Sequence, residues 1–202
     1  WTVTVWDAYG ESAMSSPVEF RTGIFEGDEW KGSWIGSDND SIQYALSGAK
    51  WIWLSGRNNG ATADGSLPAD STYFRYSFTP KAGKTLKSVN FVFTADDYGV
   101  LYANGQTVLS IQNTTDVWKT GNVADITEVM TSGENVIALR VYNATVGYAG
   151  LVGRLYVAYT DGTLDIYATD MGSWKASKSA QDGWNDTGFD DSSWKSPDQY
   201  VT

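Results

Sequence analysis

Cysteine and histidine are both absent from the 202 residues of the chain. The sequence therefore excludes disulfides, thiolate or imidazole metal sites, and every catalytic pair of a nucleophile with histidine. Basic residues are also few, since 14 Lys and Arg stand against 24 Asp and Glu, for a formal net charge of -10. This charge argues against nucleic acid or an anionic membrane as a partner. Carboxylate chemistry and metals with oxygen ligands remain open.

Long apolar runs are missing as well, and no stretch of the sequence predicts a membrane span. Aromatic residues are abundant by contrast, with ten Trp and twelve Tyr. Aromatic rings fill hydrophobic cores, and their faces are also stacking surfaces for sugars. Core packing accounts for most of them, and Trp30, Trp34, Trp51 and Trp53 are predicted to lie in the core or an interface.

Apolar residues recur with a period of two, and Gly, Asn, Asp and Ser separate the runs. This spacing predicts an all-β fold, an antiparallel β-sandwich or jelly roll. One segment differs, because Asp125 to Gly133 has the capping residues and apolar spacing of a short helix or helical turn. Strands are predicted at Thr2 to Trp6, Val18 to Arg21, Trp51 to Leu54, Thr72 to Phe78, Ser88 to Thr94, Val100 to Ala103, Thr107 to Ile111, Asn135 to Tyr142, Leu151 to Tyr159 and Thr163 to Ala168.

A domain boundary is predicted near Thr22-Gly23, which divides the chain into residues 1–23 and 24–202. The first part holds two strand-like runs, WTVTVWD and PVEFRT, joined by AYGESAMSS. Two strands do not form a stable domain unaided. We therefore expect this part to be the end of a larger domain, or a pair of strands docked on residues 24–202.

The stretch TADDYGVLYANGQTV contains a β-hairpin with a second feature at its mouth. Asn104-Gly105 suits a type I′ turn between the two strands. Asp96 and Asp97 stand together before it, although neighbouring carboxylates repel each other and Asp is a poor strand former. On spacing alone such a pair is either a turn cap at a solvated corner or a metal site.

Seven motifs follow one another along the chain after residue 23: EWKGSWIG, AKWIW, TYFRYSF, FTADDYGVLYANGQTV, DITEVMTSGENVIALRVYN, AGLVGRLYV and GWNDTGFDDSSW. In this order they resemble the N-terminal region of bacterial α-L-rhamnosidases of glycoside hydrolase family 78. The first 23 residues resemble the last two strands of the fibronectin type III-like domain of these enzymes. The rest resembles their rhamnose-binding module, carbohydrate-binding module family 67, a galactose-binding-like jelly roll.

The resemblance implies a calcium ion between protein oxygens and the vicinal hydroxyls of L-rhamnose. The family's Asp-Asn pair falls on Asp96 and Asp97, its asparagine ligand on Asn143, and a backbone carbonyl ligand on Tyr148. The tryptophan that packs against the sugar falls on Trp118, whose polar surroundings also favour a binding platform over a core position. Two positions depart from the pattern, since Asp97 stands where Asn is usual and Tyr148 where Pro is common.

The implied function is a non-catalytic, calcium-dependent module that binds terminal L-rhamnose. It would hold an attached α-L-rhamnosidase catalytic domain, expected to lie outside this chain, on rhamnose-containing polysaccharide, secreted to the extracellular space or the periplasm. The alternative is a structural accessory domain of a glycoside hydrolase without sugar affinity. A glycosidase active site is the weakest hypothesis, because catalytic carboxylates stand about 5 to 10 Å apart across the bond they cleave.

Other polar motifs have simpler interpretations. The pair Asp190-Asp191 in GFDDSSW is predicted to shape a turn between Trp184 and Trp194 through Asx-type hydrogen bonds. The polar loop from Ser55 to Ser71 either lines a site or is a flexible connection without such a role. Formal glycosylation sequons begin at Asn39, Asn113, Asn143 and Asn185, and a glycan on Asn143 would block the proposed site.

Overall fold

The computed structural model describes residues 1–19, 45–54, 67–112 and 116–200. The chain divides into two compact units, Trp1–Gly36 and Ser37–Thr202. The boundary predicted near Thr22-Gly23 lies outside the described residues. No helix in the described ranges has the length and hydrophobicity needed to cross a membrane.

The first unit contains an antiparallel hairpin of β1 (Thr4–Trp6) and β2 (Ser12–Met14). The carboxylate of Asp7 closes its loop, because it accepts the backbone N–H groups of Tyr9 and Glu11, both at 2.9 Å. The predicted first strand is confirmed in part. The second strand lies earlier than predicted, within the stretch expected to be a connection, and Val18 and Glu19 are not in a strand.

The second unit is a sandwich of two antiparallel sheets, which confirms the predicted fold class. The first sheet has the strand order β13-β3-β10-β5-β8, with β11 also paired to β10, and the second has the order β12-β4-β9-β6-β7. The strands are β3 (Trp51–Trp53), β4 (Asp70–Phe78), β5 (Leu86–Asp96), β6 (Tyr98–Ala103), β7 (Gln106–Ile111), β8 (Asn122–Asp125), β9 (Asn135–Asn143), β10 (Gly150–Tyr159), β11 (Leu164–Ala168), β12 (Lys175–Ser177) and β13 (Asp198–Tyr200).

The core lies between the two sheets and is filled by alternate residues of the long strands. Leu139 of β9 and Phe91 of β5 are enclosed, as each apolar face of an alternating strand requires. Trp174 packs between Phe91 and Tyr76, with ring centroids 6.1 and 5.3 Å away. Burying side chains of this size contributes ~1.5–3 kcal/mol each. Trp53 is also fully buried and Trp51 partly so, as predicted, whereas Trp30 and Trp34 lie outside the described residues.

The connection between β6 and β7 has the predicted geometry. Asn104 and Gly105 have φ angles of 46° and 81°, the left-handed values that a type I′ turn requires at both central positions. The predicted helical segment is a single 3₁₀ turn, Thr127–Val129. The turn does not begin earlier because β8 ends at Asp125. The Asp125 carboxylate accepts the N–H of Thr127, the first residue of the turn, at 3.0 Å.

The GFDDSSW segment forms the turn predicted for it. Asp190 accepts the backbone N–H of Ser192 at 3.0 Å, an Asx-type bond. The rings of Trp184 and Trp194 stack with centroids 6.1 Å apart. The acidic pair therefore has a structural role at this position.

An ion pair that the sequence did not predict joins this segment to the second sheet. Arg75 of β4 is only 2% exposed, and its Nε donates to Asp191 at 3.0 Å. Its Nη1 donates to the carbonyls of Trp184 and Asp186. The buried guanidinium is therefore well satisfied, as a buried charge must be.

Candidate functional site

Asp96 and Asp97 lie where the chain passes from one sheet to the other. Asp96 is the last residue of β5 in the first sheet, and β6 of the second sheet begins one residue after Asp97. The peptide bond between the two residues is cis. Asp96 is paired with Gly150 of β10, and the N–H of Asp97 donates to the carbonyl of Tyr142 at 2.9 Å. The adjacent carboxylates thus occupy an end of the sandwich, where a strand's alternation no longer separates them.

The two carboxyl groups interact directly. Burial raises the pKa of Asp96 to about 6, and the charge of Asp97 and a hydrogen bond between the two side chains act in the same direction. Neither carboxyl group forms an ion pair with a described residue, and burial and a neighbouring carboxylate both disfavour the charged form. This corner therefore favours the uptake of a proton or a cation.

Asn143 is a near neighbour of the acidic pair. It ends β9 and is only 3% exposed. Its Nδ2 donates to the carbonyls of Leu67 and Pro68, at 3.2 and 2.8 Å, which fixes the amide orientation. Its Oδ1 is buried and has no hydrogen-bond partner among the described residues. The next residue, Ala144, donates its N–H to Oδ2 of Asp97 at 2.7 Å, so Asn143 and Asp97 are neighbours.

The loop between β9 and β10 carries Tyr148. Gly147 and Leu67 exchange backbone hydrogen bonds of 3.1 and 3.0 Å, which hold this loop against the chain before β4. Tyr148 is exposed, and two residues later Gly150 pairs with Asp96. The loop is therefore attached to the acidic pair at both of its ends. The role of the Tyr148 carbonyl as a ligand stays a prediction.

Trp118 lies in a 3₁₀ turn, Val117–Lys119, and its side chain is 42% exposed. The hydroxyl of Thr94 donates to its carbonyl at 3.2 Å, and Thr94 precedes Asp96 by two residues on β5. The Lys119 ammonium lies 5.2 Å from the indole centroid and pairs with Asp116 at 2.9 Å. Trp118 is thus an exposed ring attached to the strand that ends in the acidic pair.

The calcium ion implied by the resemblance can be tested against this donor set. Among the described residues no three acidic side chains come together as a metal cluster. Calcium, however, takes amide and backbone carbonyl oxygens along with carboxylates. Asp96, Asp97 and the unpartnered Oδ1 of Asn143, whose next residue is bonded to Asp97, are donors of these kinds, so the residue types fit the ion.

Three supporting groups escaped the sequence-based prediction. The carbonyls of Leu67 and Pro68 orient Asn143, and the hydroxyl of Thr94 anchors Trp118. Leu67 and Pro68 fall near the end of the polar Ser55 to Ser71 loop, which the sequence marks as a possible site lining, whereas residues 55–66 lie outside the described ranges. A lone threonine inside a strand gives no such signal.

No family model matches the chain. An α-L-rhamnosidase from Streptomyces avermitilis is 30% identical over 199 residues, covering 96% of this chain and 18% of that protein. The crystal structure of the Streptomyces avermitilis α-L-rhamnosidase complexed with L-rhamnose covers 98% of this chain and 19% of that one, with a TM-score of 0.69 and 27% identity. A Pleurotus ostreatus lectin in complex with GalNAc covers 77% of this chain and 42% of its own, with a TM-score of 0.66 and 27% identity.

The chain thus spans about a fifth of the length of the curated rhamnosidase that it matches. The match extends over almost all of the present sequence, and the lectin likeness covers about three quarters of it. Over nearly its whole length, this chain is therefore a relative of one region of the α-L-rhamnosidases.

Proposed function

We propose that the chain is a non-catalytic carbohydrate-binding module that binds terminal L-rhamnose with the help of calcium. Two likenesses support the carbohydrate-binding part, since one relative is a rhamnosidase solved with L-rhamnose and another is a lectin solved with GalNAc. In the parent protein the module would keep an attached, secreted rhamnosidase domain close to rhamnose-containing polysaccharide.

A single observation carries the proposal of a metal site. The Oδ1 atom of Asn143 is buried without a partner among the described residues, and the next residue, Ala144, is hydrogen-bonded to Asp97, which forms no ion pair with a described residue. Leaving a buried acceptor unsatisfied costs ~1–3 kcal/mol. A hard cation at this corner would satisfy the amide oxygen and offset the repulsion between Asp96 and Asp97.

Each residue of the site has its own part in binding. Asp96, Asp97 and Asn143, with the Tyr148 carbonyl, would hold the ion, which when bound offers its open coordination positions to a vicinal diol. The exposed indole of Trp118 offers an apolar face to the C–H groups of the sugar. A single sugar makes few contacts, so we expect affinities on the order of micromolar to millimolar.

The contact between the two carboxyl groups argues against a hydrolytic role for them. Retaining glycosidases keep their carboxylates ~5 Å apart and inverting enzymes keep them further apart. Asp96 and Asp97 are instead adjacent in the chain, and the charge of Asp97 helps to raise the pKa of Asp96. This arrangement suits a shared cation better than two positions on either side of a glycosidic bond.

Titration calorimetry with L-rhamnose tests the proposal. We expect heat of binding in the presence of calcium and none after chelation. Asp96→Ala should abolish the heat while circular dichroism stays unchanged, and Asp182→Ala, at an exposed acid in a separate loop, is the matched control. Binding that survives chelation would remove the metal from the proposal. The absence of heat for the unaltered chain at millimolar sugar would favour the accessory-domain alternative.

A further inference from the structure

A second cluster of binding-type side chains lies on the outer face of the second sheet. We call Tyr73, Tyr98, Arg140 and Tyr142 the tyrosine cradle. Tyr98 of β6 is directly paired with Tyr142 of β9, and Tyr73 of β4 with Arg140 of β9. All four are partly buried, while their neighbours along β9, such as Val141, are enclosed in the core. By the alternation of a strand, Tyr73, Arg140 and Tyr142 therefore face away from the core, whereas Tyr98 also packs against it.

The guanidinium of Arg140 is held by aromatic faces. Its Cζ lies 4.4 Å from the Tyr142 centroid and 5.7 Å from the Tyr73 centroid. Tyr98 stacks on Tyr142 with centroids 4.8 Å apart and an interplanar angle of 10°. A cation–π contact engages the flat face of the guanidinium. The N–H groups of the two Nη atoms lie in its plane and are left for other partners.

Arg140 has no carboxylate partner within the described part of the chain. It takes part in none of the ion pairs there, and its Nε is buried without a hydrogen bond. Arg75, on the same sheet, differs from Arg140 because its guanidinium donates hydrogen bonds to Asp191 and to two backbone carbonyls. Arg154 likewise lacks an acidic partner among the described residues, but only Arg140 lies over the rings of two tyrosines.

We propose that the tyrosine cradle is a second binding site, for the carboxylate-bearing residue of an acidic saccharide. The edge of the Arg140 guanidinium matches a carboxylate in a planar, two-bond geometry. The tyrosine hydroxyl groups can form hydrogen bonds with the sugar ring. The choice of a saccharide among carboxylate ligands rests on the proposed function, whereas the site itself needs no calcium.

The cradle is close to the calcium corner in sequence but opens on another surface. Tyr98 follows Asp97 directly and Tyr142 precedes Asn143. Asn143 is enclosed at the end of the sandwich, whereas Tyr142 lies on the opposite face of β9. The two sites can therefore be tested separately on the same protein.

The probe is an oligomer of four galacturonic acid residues, titrated calorimetrically into the full chain in the presence of chelator. We expect the unaltered protein to bind this oligomer and Arg140→Gln to bind it at least about tenfold more weakly. The fully methyl-esterified oligomer should bind weakly to both, because it has no charge for Arg140. Arg154→Gln is the matched control, since Arg154 also has a buried, unpartnered Nε but lies over one ring only, Tyr156, at 5.4 Å.

The outcomes separate this inference from the proposed function. Equal binding by Arg140→Gln and the unaltered protein, or equal binding of the methyl ester, would overturn the site. Displacement of the oligomer by acetate at the same carboxylate concentration would overturn its saccharide character. L-rhamnose titration with calcium should be unchanged in Arg140→Gln, which also shows that the variant is folded. If rhamnose fails while the acidic oligomer binds, only the calcium site is wrong.

Discussion

The affinity of the acidic corner for calcium should fall as the pH is lowered from 7 to 5. Burial and the neighbouring Asp97 raise the pKa of Asp96 to about 6. With that pKa, about nine tenths of Asp96 is ionised at pH 7 and about one tenth at pH 5. Because a carboxylate must lose its proton to bind a metal, we expect the calcium affinity to fall on the order of tenfold between these values.

The raised pKa that weakens calcium binding at low pH should stabilise the folded, metal-free protein there. The folded state binds the proton of Asp96 more tightly than the unfolded chain, in which the pKa of an Asp has its ordinary value of 3.8. The stability that this proton contributes is therefore fully present below about pH 4 and is lost as the pH rises through about 6. Calcium should restore stability in this upper range, where Asp96 is ionised.

Calorimetric titration of calcium chloride into metal-free protein at pH 5, 6 and 7 measures the effect. Repeating the pH 6 titration in buffers of different ionisation enthalpy counts the protons released. Asp97→Asn removes both the neighbouring charge and the carboxylate hydrogen bond, so it should lower the pKa of Asp96 and flatten the pH dependence. The reasoning is refuted if the affinity is the same at pH 5 and 7 and no proton is released.

Three further variants test the rest of the structure. Trp118→Ala should weaken L-rhamnose binding while calcium affinity measured without sugar stays the same, and an equal loss of both would contradict a stacking role. Arg75→Met leaves Asp191 without its partner and should lower the free energy of unfolding in urea by ~3–5 kcal/mol, whereas a loss below about 1 kcal/mol would show that the pair is dispensable. Gly153→Ala would place a Cβ 2.6 Å from Cζ of Phe91, so the free energy of unfolding in urea should fall by ~1–3 kcal/mol. An unchanged free energy of unfolding would mean that the Phe91 ring moves aside freely.

The sequence predicts those parts of the fold that depend on local signals. The β6–β7 hairpin follows from Asn104-Gly105 between two alternating runs, and the long strands β5 and β9 follow from their periodicity. The strands β2, β8, β12 and β13 are not predicted, because each is only three or four residues long and lacks the run of large apolar residues that marks β3. Their position depends on pairing with residues distant in the chain, such as Ala176 with Phe74.

The sequence likewise predicts only part of the candidate site. The adjacent pair Asp96-Asp97 is visible as an anomaly before a hairpin, and the family resemblance adds Asn143. What no sequence pattern predicts is the hydrogen bond from Ala144 to Asp97 across 47 positions, or the isolated Oδ1 of Asn143. These depend on how β6 and β9 align in the second sheet, which only the three-dimensional packing decides.

The passage from Asp96 to Asp97 joins the two layers of the sandwich by one peptide unit. A ligand bound by both side chains would cross-link the two sheets and oppose sliding of one sheet over the other. In a single-molecule pulling experiment, the force needed to unfold the chain should therefore be larger when the ligand is bound.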